Sequence, residues 1–368
     1  MDANGPDIEP PAKRAKVQLR KDAKPPQPPP ALWLAHAGES RVQCRSIGKG
    51  AYGSVFATVG QVVKVYKVAE RDAEEHLQEE KRALDEMWES GCCDVPRAGA
   101  LLRDVAVHPS APSPRLALTL ESFHSDLADF CLRQRRPVPL RACAIVCRDV
   151  LRALRCAHKV CHRVHRDVKP NNILVELGDN KASLKRVVLA DWGASAPIDQ
   201  MCAEWEYVVT RWWRPASIML GHRFTPSDDL WSLGAILYEL LTGMSFNAND
   251  NPGCVKKMLD LLGGDETMAD EPVDDYVWKS MSPDDQRCAH DVRVLLRSRP
   301  SRTEDEVCAA IVEQAARVRP KDPVHVVEAL ARGTARMLRH RPSERCQHVD
   351  EADDAPAPKR CCAGLPCL

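Results

Sequence analysis

Neither sign of charge dominates this sequence: Lys plus Arg and Asp plus Glu each number 52, for a formal net charge of zero. A chain without a global field has no general attraction to nucleic acid or anionic lipid, so its choice of partner has to be local. Long apolar runs are missing too. Stretches such as "GAILYELL" fall far short of the about 20 residues a membrane-spanning helix needs, and no apolar leader opens the chain. Internal repeats are absent. Aromatic residues make up only 5% of the chain, yet three tryptophans and a tyrosine crowd into "AEWEYVVTRWWRPAS", residues 203–217.

What is present points to a globular, soluble protein. The 368 residues are 44% hydrophobic, enough for a large core. Sixteen cysteines are scattered rather than framed for disulfides, which implies a reducing, intracellular compartment. Cys156, His158, Cys161, His162 and His165 have superficial metal-ligand spacing. They continue an amphipathic helical pattern, "CAIVCRDVLRALRCAH", into a motif that claims His165, so no zinc site is expected.

Residues 1–35 are rich in proline and basic residues and read as a disordered arm. Beta-type alternation then surrounds a glycine turn in "RVQCRSIG", "SVFATV" and "QVVKVYKV", predicting a small antiparallel sheet. A charged helix follows at 70–90 and a strand at 115–122, after which helical patterns dominate. The expected fold class is α+β in two lobes: residues 41–123 sheet-rich with one main helix, residues 124–350 mainly helical, and a tail at 351–368.

"IGKGAYGSV" sets Gly48, Gly50 and Gly53 in a G-x-G-x-x-G pattern that runs into a strand rather than a helix, a turn whose amides can close over phosphates. "VHRDVKPNNILV" and then "ADWG" follow in order. Together these motifs resemble those of the eukaryotic protein kinases, over about residues 41–350. The resemblance implies that ATP and magnesium are the cofactors. Asp167 then accepts or orients the proton of a substrate hydroxyl, Lys169 steadies the transferred phosphate as in serine/threonine kinases, and Asn172 with Asp191 holds the metal. Ile47, Gly48, Gly50, Gly53, Val55 and Val62 line the nucleotide site.

The phosphate-anchoring lysine is Lys64 or Lys67. Hairpin geometry favours Lys64, on one face with Val62 and Tyr66, and a bulge would reverse this. Its helix partner is expected at Glu80, since Ala83, Leu84 and Met87 continue a buried stripe from it; Glu79 is the fallback, and Glu74, Glu75, Glu79 and Asp85 otherwise read as a solvated face. "LTLESFHSDLADF" resembles the hinge of the cyclin-dependent kinases, with Leu120 as gatekeeper, Glu121 to Phe123 presenting backbone to adenine, and Asp126 to the ribose.

"YVVTRWWRPASIMLG" resembles the "YVATRWYRAPEILLG" of the mitogen-activated and cyclin-dependent group. By that resemblance Thr210 bonds Asp167 and Lys169, Asp229 braces the catalytic loop, Arg166 and Arg211 belong to the activation segment, and serine or threonine followed by proline is the substrate. Three departures stand out. Trp205, Glu206 and Tyr207 replace the Thr-x-Tyr triplet, so Tyr207 alone is phosphorylated or the loop is held without phosphate; constitutive activity is the favoured reading. "RPAS" lacks the glutamate that pairs with a late arginine, here Arg345, which must find Ser217, another acid or solvent. Trp192 replaces the usual phenylalanine and must pack against the small-lobe helix.

Lys13, Arg14 and Lys16 resemble a nuclear import signal, making an importin a partner through residues 11–17 and the nucleus, beside the cytoplasm, a destination. "PPQPPP" reads as a spacer, and "KRCCAGLPCL" fails as a prenylation motif because Leu365 stands where cysteine is needed. The expectation is a monomeric serine/threonine protein kinase with protein substrates and no direct nucleic-acid contact. The alternatives are a pseudokinase scaffold and, more remotely, a small-molecule phosphotransferase.

Overall fold

The computed structural model describes residues 32–35, 42–49, 53–59, 61–66, 71–92, 94–108, 115–134, 137–179, 183–200, 210–273 and 275–346. In the smaller lobe β1 (Leu32–Ala35), β2 (Val42–Lys49), β3 (Gly53–Ala57), β4 (Gln61–Tyr66), β5 (Ala98–His108) and β6 (Arg115–Glu121) form an antiparallel closed barrel in the order β1-β2-β3-β4-β6-β5. Two of these strands depart from the sequence reading. β1, "LWLA", lies within the stretch read as a disordered arm: once the prolines stop, its apolar residues pair with β2 and β5 and close the barrel. β5 was not anticipated, and its pairing with β6 carries two register irregularities that its sequence does not announce.

The β3–β4 register sets Val55 opposite Lys64 and Phe56 opposite Val63. Alternation then splits the sheet into two faces. Cys44, Phe56, Val63, Val65 and Ala117 pack together as one small core, whereas Tyr66 and Leu118 on the opposite face pack with Leu77. Leu77 belongs to α1 (Arg71–Glu89), whose buried stripe continues through Glu80, Ala83, Leu84 and Met87 at helical spacing. Lys64 shares the face that looks toward this helix.

The larger lobe begins with β7 (Ser125–Asp126) and α2 (Leu127–Arg133), then α3 (Leu140–Arg155). Short strands β8 (Arg163–Val164), β9 (Ile173–Leu177), β10 (Leu184–Leu189) and β11 (Ala196–Pro197) carry the catalytic-type loops, with β8 paired to β11 and β9 to β10. The helices α4 (Ala216–Met219), α5 (Pro226–Thr242), α6 (Asn251–Leu262), α7 (Glu266–Asp270), α8 (Asp275–Ser280), α9 (Pro283–Arg297), α10 (Glu304–Val318), α11 (Val324–Met337) and α12 (Pro342–Cys346) complete it. Buried along nearly its whole length, α5 is the central element, and it starts in a capping box made by Thr225 and Asp228. Gly234 lets α11 approach closely, since a Cβ there would sit 2.9 Å from that of Met337.

Arg345 finds an acid the sequence reading did not name. Its guanidinium lies 2.8 Å from Asp228 Oδ1, with both side chains fully buried, and it also donates to the carbonyls of Arg339, His340 and Ser227. Ser217, in the place of the missing glutamate, donates to the same Asp228 oxygen at 3.1 Å. The ion pair has therefore moved one helix along. Arg345→Met leaves Asp228 buried without its counter-charge, and urea unfolding is expected to register a loss of about 3–5 kcal/mol. A loss under about 1 kcal/mol would place the pair among interactions of no consequence to stability.

Candidate active site

Lys64 Nζ stands 2.7 Å from Glu80 Oε2 and 2.5 Å from Asp191 Oδ1, which joins β4, α1 and the "DWG" turn at one point. Glu80, though only 1% exposed, is satisfied a second time by the hydroxyl of Tyr66 at 2.6 Å. Burial works against a charged Lys64, but the carboxylates of Glu80 and Asp191 outweigh it and hold the ammonium pKa well above its usual value. Burial likewise pushes Asp191 up, and the charge and hydrogen bond of Lys64 overcome it, leaving the carboxyl below its ordinary range. The same burial and the facing Glu80 raise the Tyr66 phenol, so Tyr66 stays a donor. Lys67 lies outside the described residues.

A second cluster surrounds Asp167. Lys169 Nζ donates to Asp167 Oδ2 at 2.6 Å, and Thr210 Oγ1 donates to Oδ1 at 3.0 Å while lying 3.3 Å from Lys169. Asn172 turns its amide nitrogen onto the Asp167 carbonyl and carboxylate, at 2.8 and 3.1 Å. That orientation leaves the Asn172 carbonyl oxygen as an acceptor, and the Ala190 N–H bonds the Asn172 backbone, bringing Asp191 alongside. Two hard oxygen donors, one of them ionised, suit magnesium rather than a soft metal.

The loop that presents Asp167 is held by one carboxylate. Asp229, at the start of α5, accepts the N–H groups of His165 at 2.8 Å and Arg166 at 2.9 Å, and His158 Nε2 reaches it at 2.8 Å. These bonds hold Arg166 at φ 68°, a left-handed conformation costly for a residue with a Cβ. Asp191 takes the same region at φ 64°. Next to it Trp192 is wholly buried, its indole N–H on the Leu189 carbonyl and its ring edge-on to His165 at 4.5 Å. The turn that follows lies against α1, with Gly193 close to the His76 carbonyl and Glu80. His158 and His165 thus face Asp229 and the Ala190 carbonyl, which accounts for two members of the metal-like cluster.

Along the cleft, Ile47 is exposed, and Val55 and Val62 are half-buried. Gly48 pairs with Val55 across the β2–β3 ladder, and Gly53 opens β3; Gly50 lies outside the described residues. The hinge-like stretch ties the lobes together through side chains. Glu121 pairs with Arg186 of β10 at 2.9 Å, and Arg186 also lies over the Phe123 ring. Asp126 caps α2 through the Asp129 N–H at 2.7 Å and accepts from Asn171 at 3.2 Å. The residues 201–209, including Trp205, Glu206 and Tyr207, lie outside the described residues. Beyond them, Arg211 donates to the Asn249 carbonyl and Trp212 to that of Ala248 at 3.1 Å, fixing a short turn whose Trp212 ring remains exposed.

Sequence reasoning missed Arg163. It lies on β8 and is 2% exposed, and it pairs with Glu79 and with Glu86 at 3.0 Å on α1 while donating to Ser195 Oγ at 3.1 Å. Glu79, read as part of a solvated face, is therefore half-buried and shared between Arg163 and the exposed Arg82. The only available signal was a charged residue inside the strand that precedes the loop, "HRVHRD". Arg163 tethers α1, and with it Glu80, to the loop and to the start of the following segment. Arg163→Ala is expected to speed amide hydrogen exchange in the middle of α1 by at least about tenfold, from losing hydrogen bonds between charged groups. Unchanged exchange in α1 would mean the helix is held without this tether.

The model for "Protein kinase domain" matches residues 41–330. Mitogen-activated protein kinase 4a of Physcomitrium patens is 30% identical over 229 residues, covering 60% of this chain and 58% of that protein. Mitogen-activated protein kinase 15 of Mus musculus is 30% identical over 220 residues, 56% of this chain and 38% of that protein, and mitogen-activated protein kinase 4 of Arabidopsis thaliana is 30% identical over 204 residues, 54% and 51%. The chain thus spans about half the length of these curated relatives. With its lobes, its cleft and its family match in agreement, the chain belongs to the protein kinase family.

Proposed function

We propose that this protein transfers the terminal phosphate of ATP, with magnesium, to serine or threonine in protein substrates, preferring a following proline, and that it does so without phosphorylation of its activation segment. The observation that carries the reading is the sharing of one Asp167 carboxylate by Lys169 and Thr210, with Asn172 beside it. A substrate hydroxyl reaching Asp167 has an acceptor for its proton as its oxygen bonds to phosphorus and the bridging oxygen departs with the diphosphate. Lys169 is the cation for the charge on the moving phosphoryl group, and Lys64, held by Glu80, is the cation for the remaining phosphates. Asn172 and Asp191 would hold magnesium, which supplies charge neutralisation at the phosphates.

Independence from an activating phosphate is supported by what already holds α1 in place. Lys64 meets Glu80, and Arg163 binds two further acids of the helix. Proline preference is supported by the turn at Arg211 to Trp213, anchored on the Ala248 and Asn249 carbonyls beside Thr210.

The test is phosphate transfer from labelled ATP by the full chain made alone in bacteria, before and after phosphatase treatment. Transfer is expected to survive the phosphatase, to fall by at least about 10²-fold in Asp167→Asn, and to fall about tenfold or more when alanine replaces the proline of a peptide substrate. Loss of activity with the phosphatase would end the phosphate-independent reading alone. Absence of transfer with ATP binding intact would end the reading of a kinase active on its own, leaving a kinase that waits for an activator or a scaffold.

A further inference from the structure

Away from the cleft, the end of α3 gathers three thiols. The helix widens over Cys156–Val160 into a π turn, and the Cys161 N–H donates to the Cys156 carbonyl at 3.0 Å. A bond from residue i to i+5 stacks these two residues along one side of the turn, and such turns are frequent at functional sites. The Cys156 thiol lies beside those of both Cys161 and Cys92. Cys161 Sγ also stands 3.5 Å from Ser90 Oγ at an exposed point, whereas Cys92 is buried. Ser90 and Cys92 follow directly on α1, so the cluster sits where the small-lobe helix meets the larger lobe. Nothing in the proposed phosphate transfer uses it.

We propose that Cys161 and Cys156 form a hydroperoxide-sensitive dithiol, with Cys161 the attacking thiol and Cys156 the resolving one. The Cys161 thiolate attacks the peroxide; its sulfur–oxygen bond forms as the oxygen–oxygen bond breaks, and the departing oxygen takes a proton to leave as water or an alcohol. Cys156 then displaces water from the resulting sulfenic acid, closing a sulfur–sulfur bond. In sum two thiols lose two electrons and two protons, and the peroxide is reduced. Position divides the roles: Cys161 Sγ meets Ser90 Oγ at an exposed point, while Cys156 sits a turn earlier beside the buried Cys92. The Cys156 thiol leads in drawing the Cys161 pKa down, with Ser90 and Arg163 adding to it against burial and Glu86. Elsewhere on α3, burial pushes Cys143 and Cys147 up to about 11. A half-exposed thiolate beside a second thiol is the arrangement that oxidises selectively.

Peptide mapping of the full-length protein tests this. After a stoichiometric dose of hydrogen peroxide, alkylation and trypsin, cleavage at Arg155, Lys159 and Arg163 puts Cys156 and Cys161 on separate peptides. They are expected to appear as one cross-linked pair that thiol reductant separates. In Cys156→Ser, dimedone is expected to trap a sulfenic acid at Cys161. Before oxidation, iodoacetamide is expected to label Cys161 at least about tenfold faster than Cys143 at neutral pH. A cross-link through Cys92 in place of Cys161, thiols that survive the peroxide, or equal labelling of Cys161 and Cys143 would each overturn the assignment, and the mapping of the unsubstituted chain needs no variant to fold.

Discussion

The larger lobe's part of the cleft depends on one buried carboxylate, that of Asp229. Asp229 has a fixed position because α5 runs through the middle of the larger lobe, and it spends that position on the backbone of a loop that cannot hold its own shape. A left-handed Arg166 is unfavourable by itself, and the two N–H bonds to Asp229 offset that cost. Asp167 follows from this constraint, because the direction of its side chain is set by the residue before it. Lys169, Thr210 and Asn172 then converge on a target whose place is already decided.

A parallel logic fixes the smaller lobe's side of the cleft. Lys64 is placed by sheet alternation, Glu80 by helical alternation, and the two patterns come from separate stretches of chain that know nothing of each other until they pack. Charge makes the match: a buried Glu80 is tolerable only with Lys64 and Tyr66 present, and Lys64 in turn draws Asp191 into the group. Arg163 extends the network to the floor of the cleft, so the helix is held at its face toward the sheet and again at its face toward the loop.

Features with a local period or an ordered motif were legible beforehand. The hairpin register picked the face of Lys64, the stripe Ala83, Leu84 and Met87 pointed back to Glu80, and the loop motifs located Asp167, Asn172 and Asp191. What escaped notice rests on partners far away in the chain. The partners of Arg163 lie 77 and 84 positions away, and Asp228 lies 117 positions from Arg345. No window of sequence carries such information, so Glu79 read as solvated and Arg345 as an arginine in search of an acid. β1 and β5 escaped for a related reason: β1 lies between β2 and β5, and β5 between β1 and β6, so each is placed by partners elsewhere in the chain.

The Arg345–Asp228 pair has a consequence for the order in which the chain takes shape. Asp228 caps the central helix and is sealed from water, yet its counter-charge arrives on a short helix beyond the end of the matched family region at residue 330. During synthesis α5 emerges before α12, so until α12 docks Asp228 has Ser217 and Thr225 as donors but no counter-charge. The start of the central helix is therefore closed by a residue from the last short helix, which acts as its keystone.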